Sequence, residues 1–286
     1  MPRRIESRIS PVKTVCNLGA QETAKVVARI RFYAELYDFI VPEHRHREFE
    51  HSSASEAPIK HIIEALGVPH TEVELILING VSVDFAQRLQ QSDRVSVYPK
   101  FEAFDIIPLL RLRPHPLRVT RFLADAHLGG LARLLRMAGF DTLYVNPLDD
   151  SEIVGVANRD NRIVLTRDRD LLKRRGVSHG CYVHALIPGP QLSEIIARLD
   201  LAGSLRPFTL CLECNAPLRS VDKAQVIELL PPSVRKRHQR FSTCDVCRRV
   251  FWEGSHWSHM RKQLATLIAN AGNGHKEIFS SRGEAP

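Results

Sequence analysis

The ten residues Ile163-Val164-Leu165-Thr166-Arg167-Asp168-Arg169-Asp170-Leu171-Leu172 change pattern half-way along. Arg162–Thr166 is a short apolar run, which predicts a buried strand. Asp168–Arg175 predicts the start of a helix. Two carboxylates therefore stand just past a strand end. Upstream, Arg118–Ala124 predicts a strand ending at Asp125. His127–Ala138 predicts a helix with Leu128, Leu131, Leu134 and Leu135 on one face, stopped by Gly139. Asp141–Val145 predicts a strand, and Asp150–Asn158 a helix capped by Asp150 or Ser151. Downstream, Tyr182–Leu186 predicts a strand and Gln191–Leu201 a helix. Strand and helix alternate from about 117 to 205, the mark of an α/β sheet.

In such a sheet the carboxyl ends of the strands converge on a crevice where ligands bind. Asp125 follows one strand, Asp149 and Asp150 a second, Asp168 and Asp170 a third. Gathered carboxylates repel one another unless a cation neutralises them. Hard oxygen donors suit Mg²⁺ or Mn²⁺, which activate water and stabilise a leaving oxygen in phosphodiester hydrolysis. Each of these aspartates also has an ordinary use as a helix cap or turn residue. His127 lies two residues from Asp125 and reads as a structural side chain.

Cys211-Leu212-Glu213-Cys214 and Cys244-Asp245-Val246-Cys247 are separated by 29 residues. Cys-x-x-Cys spacing lets both thiolates of a pair face one ion, and four cysteines with no open position are the pattern of structural Zn²⁺. An iron–sulfur centre uses the same ligands. The block from 206 to 262 therefore reads as a small zinc ribbon whose folding depends on metal. Trp252 and Trp257 are expected to pack over it. Cys181 reads as core and Cys16 as a tail residue.

The first block, 25–105, differs in kind. Val26–Tyr33 alternates like a strand, Arg47–His51 is a short partner, and Ile59–Leu66 is a helix with Gly67 after it. Glu72–Ile78 is a strand, Asn79-Gly80 a hairpin signal leading to Val81 and Val83, and Arg94–Tyr98 a last strand closed by Pro99. That order fits a β-grasp sheet. Pro108, Pro114 and Pro116 make 106–116 a semi-rigid linker. Residues 1–24 read as a flexible basic tail, and 263–286 as a C-terminal helix or flexible tail, loose from about Gly272.

The chain has 286 residues, 44% hydrophobic and 25% charged, ordinary for globular domains. No apolar run approaches the roughly 20 residues of a membrane helix. Six cysteines, four of them in the paired spacing, point to a reducing compartment, so a cytoplasmic location is expected. The formal net charge is +8, unevenly spread. Residues 25–105 carry 9 Lys+Arg against 13 Asp+Glu, whereas 231–262 carry 8 basic residues against Asp245 and Glu253. An electrostatic footprint for nucleic acid therefore lies in the C-terminal half. Oligomeric state is not readable.

Two resemblances organise these readings. The helix Ile59–Leu66, the stretch Leu75-Ile76-Leu77-Ile78-Asn79-Gly80 and the closing Asp93-Arg94-Val95-Ser96-Val97-Tyr98-Pro99 resemble the ubiquitin-like sulfur carriers of the MoaD and ThiS type. Those carriers work through a free C-terminal Gly-Gly. Here the last strand runs into Lys100-Phe101-Glu102-Ala103-Phe104, so a scaffold or docking role is expected in place of sulfur transfer. Arg121-Phe122-Leu123-Ala124-Asp125, Leu128-Gly129-Gly130-Leu131-Ala132-Arg133-Leu134-Leu135-Arg136 and the Ile163–Leu172 stretch resemble the PIN-like RNase domain of the Mut-seven C-terminal type, which includes the cysteine pairs. Together the chain resembles the bacterial ubiquitin/RNase fusion form of that family.

The resemblance implies a multidomain α/β and α+β protein: a β-grasp domain, a PIN-like α/β nuclease domain and a zinc ribbon. It also implies a metal-dependent ribonuclease, with Asp125, Asp150, Asp168 and Asp170 as catalytic Mg²⁺ or Mn²⁺ ligands. The middle acid is Asp149, Asp150 or Glu152; Asp150 is favoured because it begins the helix. Ala126 stands where related domains often carry a polar residue, which leaves the number of ions open. Arg133 and Arg136 share a helix face, and Arg167, Arg169 and Lys173 flank the last acids; all five are candidate RNA contacts, with local ion pairing as the alternative. A protein partner for the β-grasp domain, or its folding against the nuclease, is expected. A non-catalytic RNA-binding protein with the same fold is the alternative function.

Overall fold

A computed structural model describes residues 25–99, 120–146 and 149–280, with side chains as far as 271. The basic tail, Cys16, the proline-rich linker, Arg118 and the last six residues lie outside the described residues.

The N-terminal sheet has the order β2-β1-β5-β3-β4, with β1 Lys25–Phe32, β2 Phe49–Ala54, β3 Leu75–Ile78, β4 Val81–Ser82 and β5 Arg94–Tyr98. The first and last long strands, β1 and β5, run parallel side by side, and every other pairing is antiparallel. That is the β-grasp arrangement, with α1 (Ile59–Ala65) across one face. Alternation along β1 sends Ala28, Ile30 and Phe32 inward against Ile59, Ile62 and Ile63. The strand expected from Glu72 begins only at Leu75, because His70–Glu72 form a 3-10 turn directed at the neighbouring domain.

The second sheet is four parallel strands in the order β7-β6-β8-β9: β6 Phe122–Ala124, β7 Thr142–Tyr144, β8 Ile163–Thr166 and β9 Gly180–Tyr182. Period-two alternation divides its side chains between two layers. Phe122, Ala124 and Leu165 face α2 (Gly129–Ala138) and α5 (Pro188–Arg198), while Leu123 and Val164 face α3 (Asp150–Asp160) and α4 (Arg169–Lys173). The larger of these, Phe122, Leu123, Val164 and Leu165, each contribute about 1.5–3 kcal/mol on full burial. Gly139 closes α2 in the left-handed region (φ +94°), and a Cβ there would lie 2.1 Å from the Arg206 carbonyl.

β9 ends at Tyr182, short of the expected Leu186. The amides of His184 and Ala185 turn to the Glu194 carboxylate at 2.9 Å each, which lifts the chain out of the sheet.

The third unit is an antiparallel ribbon, β10 (Leu218–Val221), β11 (Phe241–Cys244) and β12 (Val250–Trp252), with α6 (Lys223–Val226) and α7 (Pro232–Arg237) between its first two strands. A long helix, α8 (Ser255–Ser280), returns to the parallel-sheet domain, burying Leu264 and Ala271 in its core. Its backbone stays helical through Gly272 and Gly274, where looseness was expected.

The β-grasp domain folds against β9. The Tyr182 amide donates to Glu72 Oε1 (2.5 Å), Glu72 pairs with Arg198, and Arg198 donates to the Tyr182 carbonyl (2.6 Å). His70 Nε2 donates to the Val177 carbonyl (2.8 Å). A side chain of one domain thus satisfies the exposed edge of the other's sheet, the position most exposed to unwanted pairing.

Candidate active site and metal centre

In the order β7-β6-β8-β9 the chain adds β7 on one side of β6 and then crosses to add β8 on the other, so the crevice beyond the carboxyl ends of the parallel pair β6 and β8 is the switch point of the sheet. Asp125 follows β6 and Asp168 follows β8 by two residues. One buried hydroxyl ties them together. Thr166 Oγ1 donates to Asp125 Oδ2 (2.7 Å) and accepts the backbone N–H of Asp168 (2.9 Å). The Thr166 side chain is fully enclosed, and the bridge runs from it outward to the half-buried Asp125 and the exposed Asp168.

The same acids have local duties. Asp125 Oδ1 accepts from the Ala126 amide (2.6 Å), and Asp168 Oδ1 caps α4 through the amides of Asp170 (2.7 Å) and Leu171 (3.3 Å). Asp168 is solvent-exposed and Asp125 half-buried. The turn after Asp125 is clamped from β7, where the Tyr144 hydroxyl donates to the Ala126 carbonyl (2.9 Å). The same ring lies so close to Gly129 that a Cβ there would meet the hydroxyl at 2.9 Å.

The other two expected acids are each paired with a cation. Asp150 pairs with Arg174 Nη2 at 2.6 Å, and the exposed Asp170 carboxylate pairs with Lys173 at 3.6 Å. Among the described residues, no three carboxylates bring ligand atoms within 4.8 Å of one another. The cap of α3 is Asp149, not Asp150: Asp149 accepts from the amides of Ser151 and Glu152, and the Glu152 carboxylate accepts the Asp149 amide, a complete capping box. Hydrogen bonds from the Ser151 hydroxyl and the Glu152 amide hold the Asp149 carboxyl below its ordinary range.

The candidate RNA-binding cations divide. Arg136 requires correction. It is buried, donating to the carbonyls of Thr142 (2.9 Å), Leu212 (3.0 Å) and Glu213 (2.7 Å), so its side chain meets the first cysteine knuckle and not solvent. Burial pulls its pKa down, against the pull of the Cys211 and Cys214 sulfurs and of Glu213. Arg167 is also committed, donating to the carbonyls of His184 (3.0 Å) and Ala185 (2.5 Å). Arg169 lies over the rings of Phe39 and Tyr182. Arg133 is exposed beside Glu213 at 3.7 Å, and Lys173 pairs with Asp170.

The four cysteine sulfurs lie within 4.8 Å of one another, with Cys211 and Cys247 at 3.6 Å and Cys214 and Cys244 at 3.3 Å. A tetrahedral Zn²⁺ with bonds of about 2.3 Å separates its sulfurs by roughly 3.8 Å. The cluster can therefore hold a metal ion, and its geometry is compatible with a zinc ribbon. Burial pushes the Cys211 thiol up to about 12. Burial also raises Cys244, but the amides of Cys247 and Val246 and the Cys214 thiol outweigh it and bring it down to about 7. The knuckle is bolted to the parallel sheet. Beside Arg136, Asn215 accepts the Thr142 amide (2.9 Å) and donates to Asp141 (2.5 Å).

Sequence reasoning passed over Thr166, Tyr144 and the Glu72–Arg198 pair as site-shaping residues. A threonine two residues before a capping aspartate was the available signal for the first. The other two are long-range contacts with no local signature.

No helix among the described residues is long and apolar enough to cross a membrane. No curated protein matches the chain. Among solved structures, the solution structure of the Haloferax volcanii HVO 2177 protein is similar over 28% of this chain and 88% of that one, at 18% identity and a TM-score of 0.24. A family described as Mut7-C ubiquitin matches residues 25–105, and one described as Mut7-C RNAse domain matches residues 120–264. With that match spanning half of its length, and the ubiquitin-like match directly before it, the chain belongs to the Mut7-C RNAse domain family in its fusion with a Mut7-C ubiquitin domain.

Proposed function

We propose that the chain is a metal-dependent ribonuclease, with Asp125 and Asp168 as the principal ligands of a Mg²⁺ or Mn²⁺ ion at the switch point. The observation that carries this reading is the buried Thr166 hydroxyl, which links the ends of β6 and β8. Mg²⁺ is commonly held by one or two protein carboxylates together with substrate phosphate and water, so two acids at one crevice suffice. When bound, such an ion supplies a nucleophile from water and neutralises charge on the phosphodiester. The chain's own residues supply the orientation. Thr166 fixes Asp125, the amides of α4 fix Asp168, and Tyr144 fixes the intervening turn. Asp170 and Asp150 stand at the margin, each neutralised by a neighbouring cation.

RNA would be held by the exposed cations Arg133 on α2 and Lys236 and Arg237 on the ribbon, with the half-buried Lys173 beside Asp170. The ribbon is proposed to hold Zn²⁺, which staples the knuckle to the nuclease sheet, and the protein is proposed to act in the cytoplasm. The capping role of Asp168 favours a second reading, in which the acids are purely structural and the protein binds RNA without cutting it.

The test is cleavage of end-labelled single-stranded RNA by the full chain with Mn²⁺, Mg²⁺ or EDTA, beside Asp168→Asn. Asparagine keeps the helix cap and loses the charge. Metal-dependent fragments, lost in the variant, support the enzyme. Intact RNA in every lane, with a gel shift that weakens steeply with salt, supports the binding protein.

A further inference from the structure

We infer that the N-terminal domain is a positioning part of the nuclease site: Phe39 and the Asp38 carbonyl hold Arg169, and through it the turn that carries Asp168 and Asp170. The consequence for metal binding rests on the reading under Proposed function; the positioning itself does not.

Arg169 separates the two acids in sequence and opens α4. Its guanidinium carbon lies 5.1 Å from the centre of the Phe39 ring and 5.4 Å from that of Tyr182. Its Nη2 donates to the Asp38 carbonyl at 3.0 Å. Phe39 in turn meets Tyr182 edge-on, with centroids 5.4 Å apart. The arginine is thus gripped between a strand of its own domain and a loop of the other.

That grip matters because α4 has only five residues. A helix so short is not stable by its own hydrogen bonds and takes its order from what it packs against. Its inner face is supplied by Leu171 and Leu172 within the nuclease core. Its first turn, where Asp168 accepts two amides, is anchored on the outside by Arg169, while the 3-10 turn His70–Glu72 of the N-terminal domain packs beside the same helix. Phe39 is a buried residue of the β-grasp core, so its ring is held by that domain's own packing. The N-terminal domain therefore reaches the crevice without contributing a ligand to it.

The full chain is tested by amide hydrogen exchange and by Mn²⁺ binding, read from the electron paramagnetic resonance of free Mn²⁺. The variants are Arg169→Lys, Phe39→Leu, their double, and Phe39→Tyr. Lysine keeps the charge of an exposed residue and loses the planar contact, so folding is spared. Exchange in 169–173 should quicken in Arg169→Lys and in Phe39→Leu, with α2 amides unchanged. The double variant should go no further than either single one, and Phe39→Tyr should behave as the parent does. Mn²⁺ should bind roughly two- to fivefold more weakly in both single variants, the size of one exposed cation–π contact. Unchanged exchange in 169–173 in Arg169→Lys overturns the inference, as does a double variant whose effects simply add. A parent chain that binds no Mn²⁺ overturns the metal reading instead, and the exchange experiment still decides this one.

Discussion

Replacing Arg136 by methionine separates two accounts of the same residue. On the helix face read from the sequence, Arg136 is a solvent cation that touches phosphate. In the structure it is 6% exposed and gives three hydrogen bonds to backbone carbonyls, one on β7 and two in the first cysteine knuckle. A bond from a charged donor contributes about 1.5–3 kcal/mol, so three have a gross worth of roughly 5–9 kcal/mol. Methionine recovers the cost of burying the charge, which is several kcal/mol, and retains most of the apolar stem. The net loss is then about 2–4 kcal/mol. For a domain of this size the unfolding midpoint should fall by roughly 5–15 °C. Thermal unfolding of the full chain with metal bound measures it, and the variant should also give up its metal to a weaker chelator, because the carbonyls of Leu212 and Glu213 lose their anchor. An unchanged midpoint, together with weaker RNA binding and a shallower salt dependence, would refute the structural account and restore the phosphate contact.

Thr166→Val keeps the shape of a fully buried side chain but leaves Asp125 Oδ2 and the Asp168 amide without their shared partner. Stability should fall by about 1–3 kcal/mol, and RNA cleavage should fall further than stability explains, as measured by melting and by single-turnover cleavage. Gly139→Ala forces a Cβ against the Arg206 carbonyl at a positive φ and should cost more than about 1 kcal/mol in urea unfolding, whereas the same change at Gly155, with open space around it, should stabilise α3. Burial raises the Asp141 carboxyl, but hydrogen bonds from Arg162 and Asn215 and the charge of Arg121 outweigh it and hold it below its ordinary 3.8. Its contribution is therefore complete above that value and lost as pH falls through the depressed one; Asp141→Asn should flatten the acid limb of the stability curve. Burial and Arg198 lower His184 below its ordinary 6.5, against Glu194 and Asp38, so its contribution to folding should be complete above pH 6.5 and be lost as pH falls through the lowered value, as followed by thermal unfolding of the parent and of His184→Gln.

Much of this architecture is local in origin, and that part could be read. The change of period at Thr166, the Asn79-Gly80 hairpin and the two Cys-x-x-Cys pairs each depend on neighbours within a few residues. The Asp149 cap was also legible, since aspartate three residues before Glu152 is itself the capping-box signature; attention to the first helical residue concealed it. Arg136 was not legible. Spacing of three places it beside Arg133 on one face of α2, but whether that face meets water depends on a knuckle some 76 residues away. The early end of β9 depends likewise on Glu194 in the following helix. The candidate site was legible in its acids and not in its second layer, because Thr166, Tyr144 and Arg169 act through geometry that only the folded sheet and the docked domain create.

The Glu72 carboxylate against β9 has a consequence for the order in which the chain folds. On the ribosome the β-grasp domain emerges first, and its core is built from its own strands and helix, with Tyr182 the contribution of the second domain. The parallel sheet emerges later, and β9 is the last of its strands to leave the ribosome. When β9 arrives, its outer rim meets a finished neighbour already presenting a carboxylate for the Tyr182 amide and a countercharge for Arg198. A chain begun after residue 119 would complete the same sheet with that rim bare and that guanidinium lacking its partner in Glu72. The first domain is in this sense a chaperone that never leaves its client.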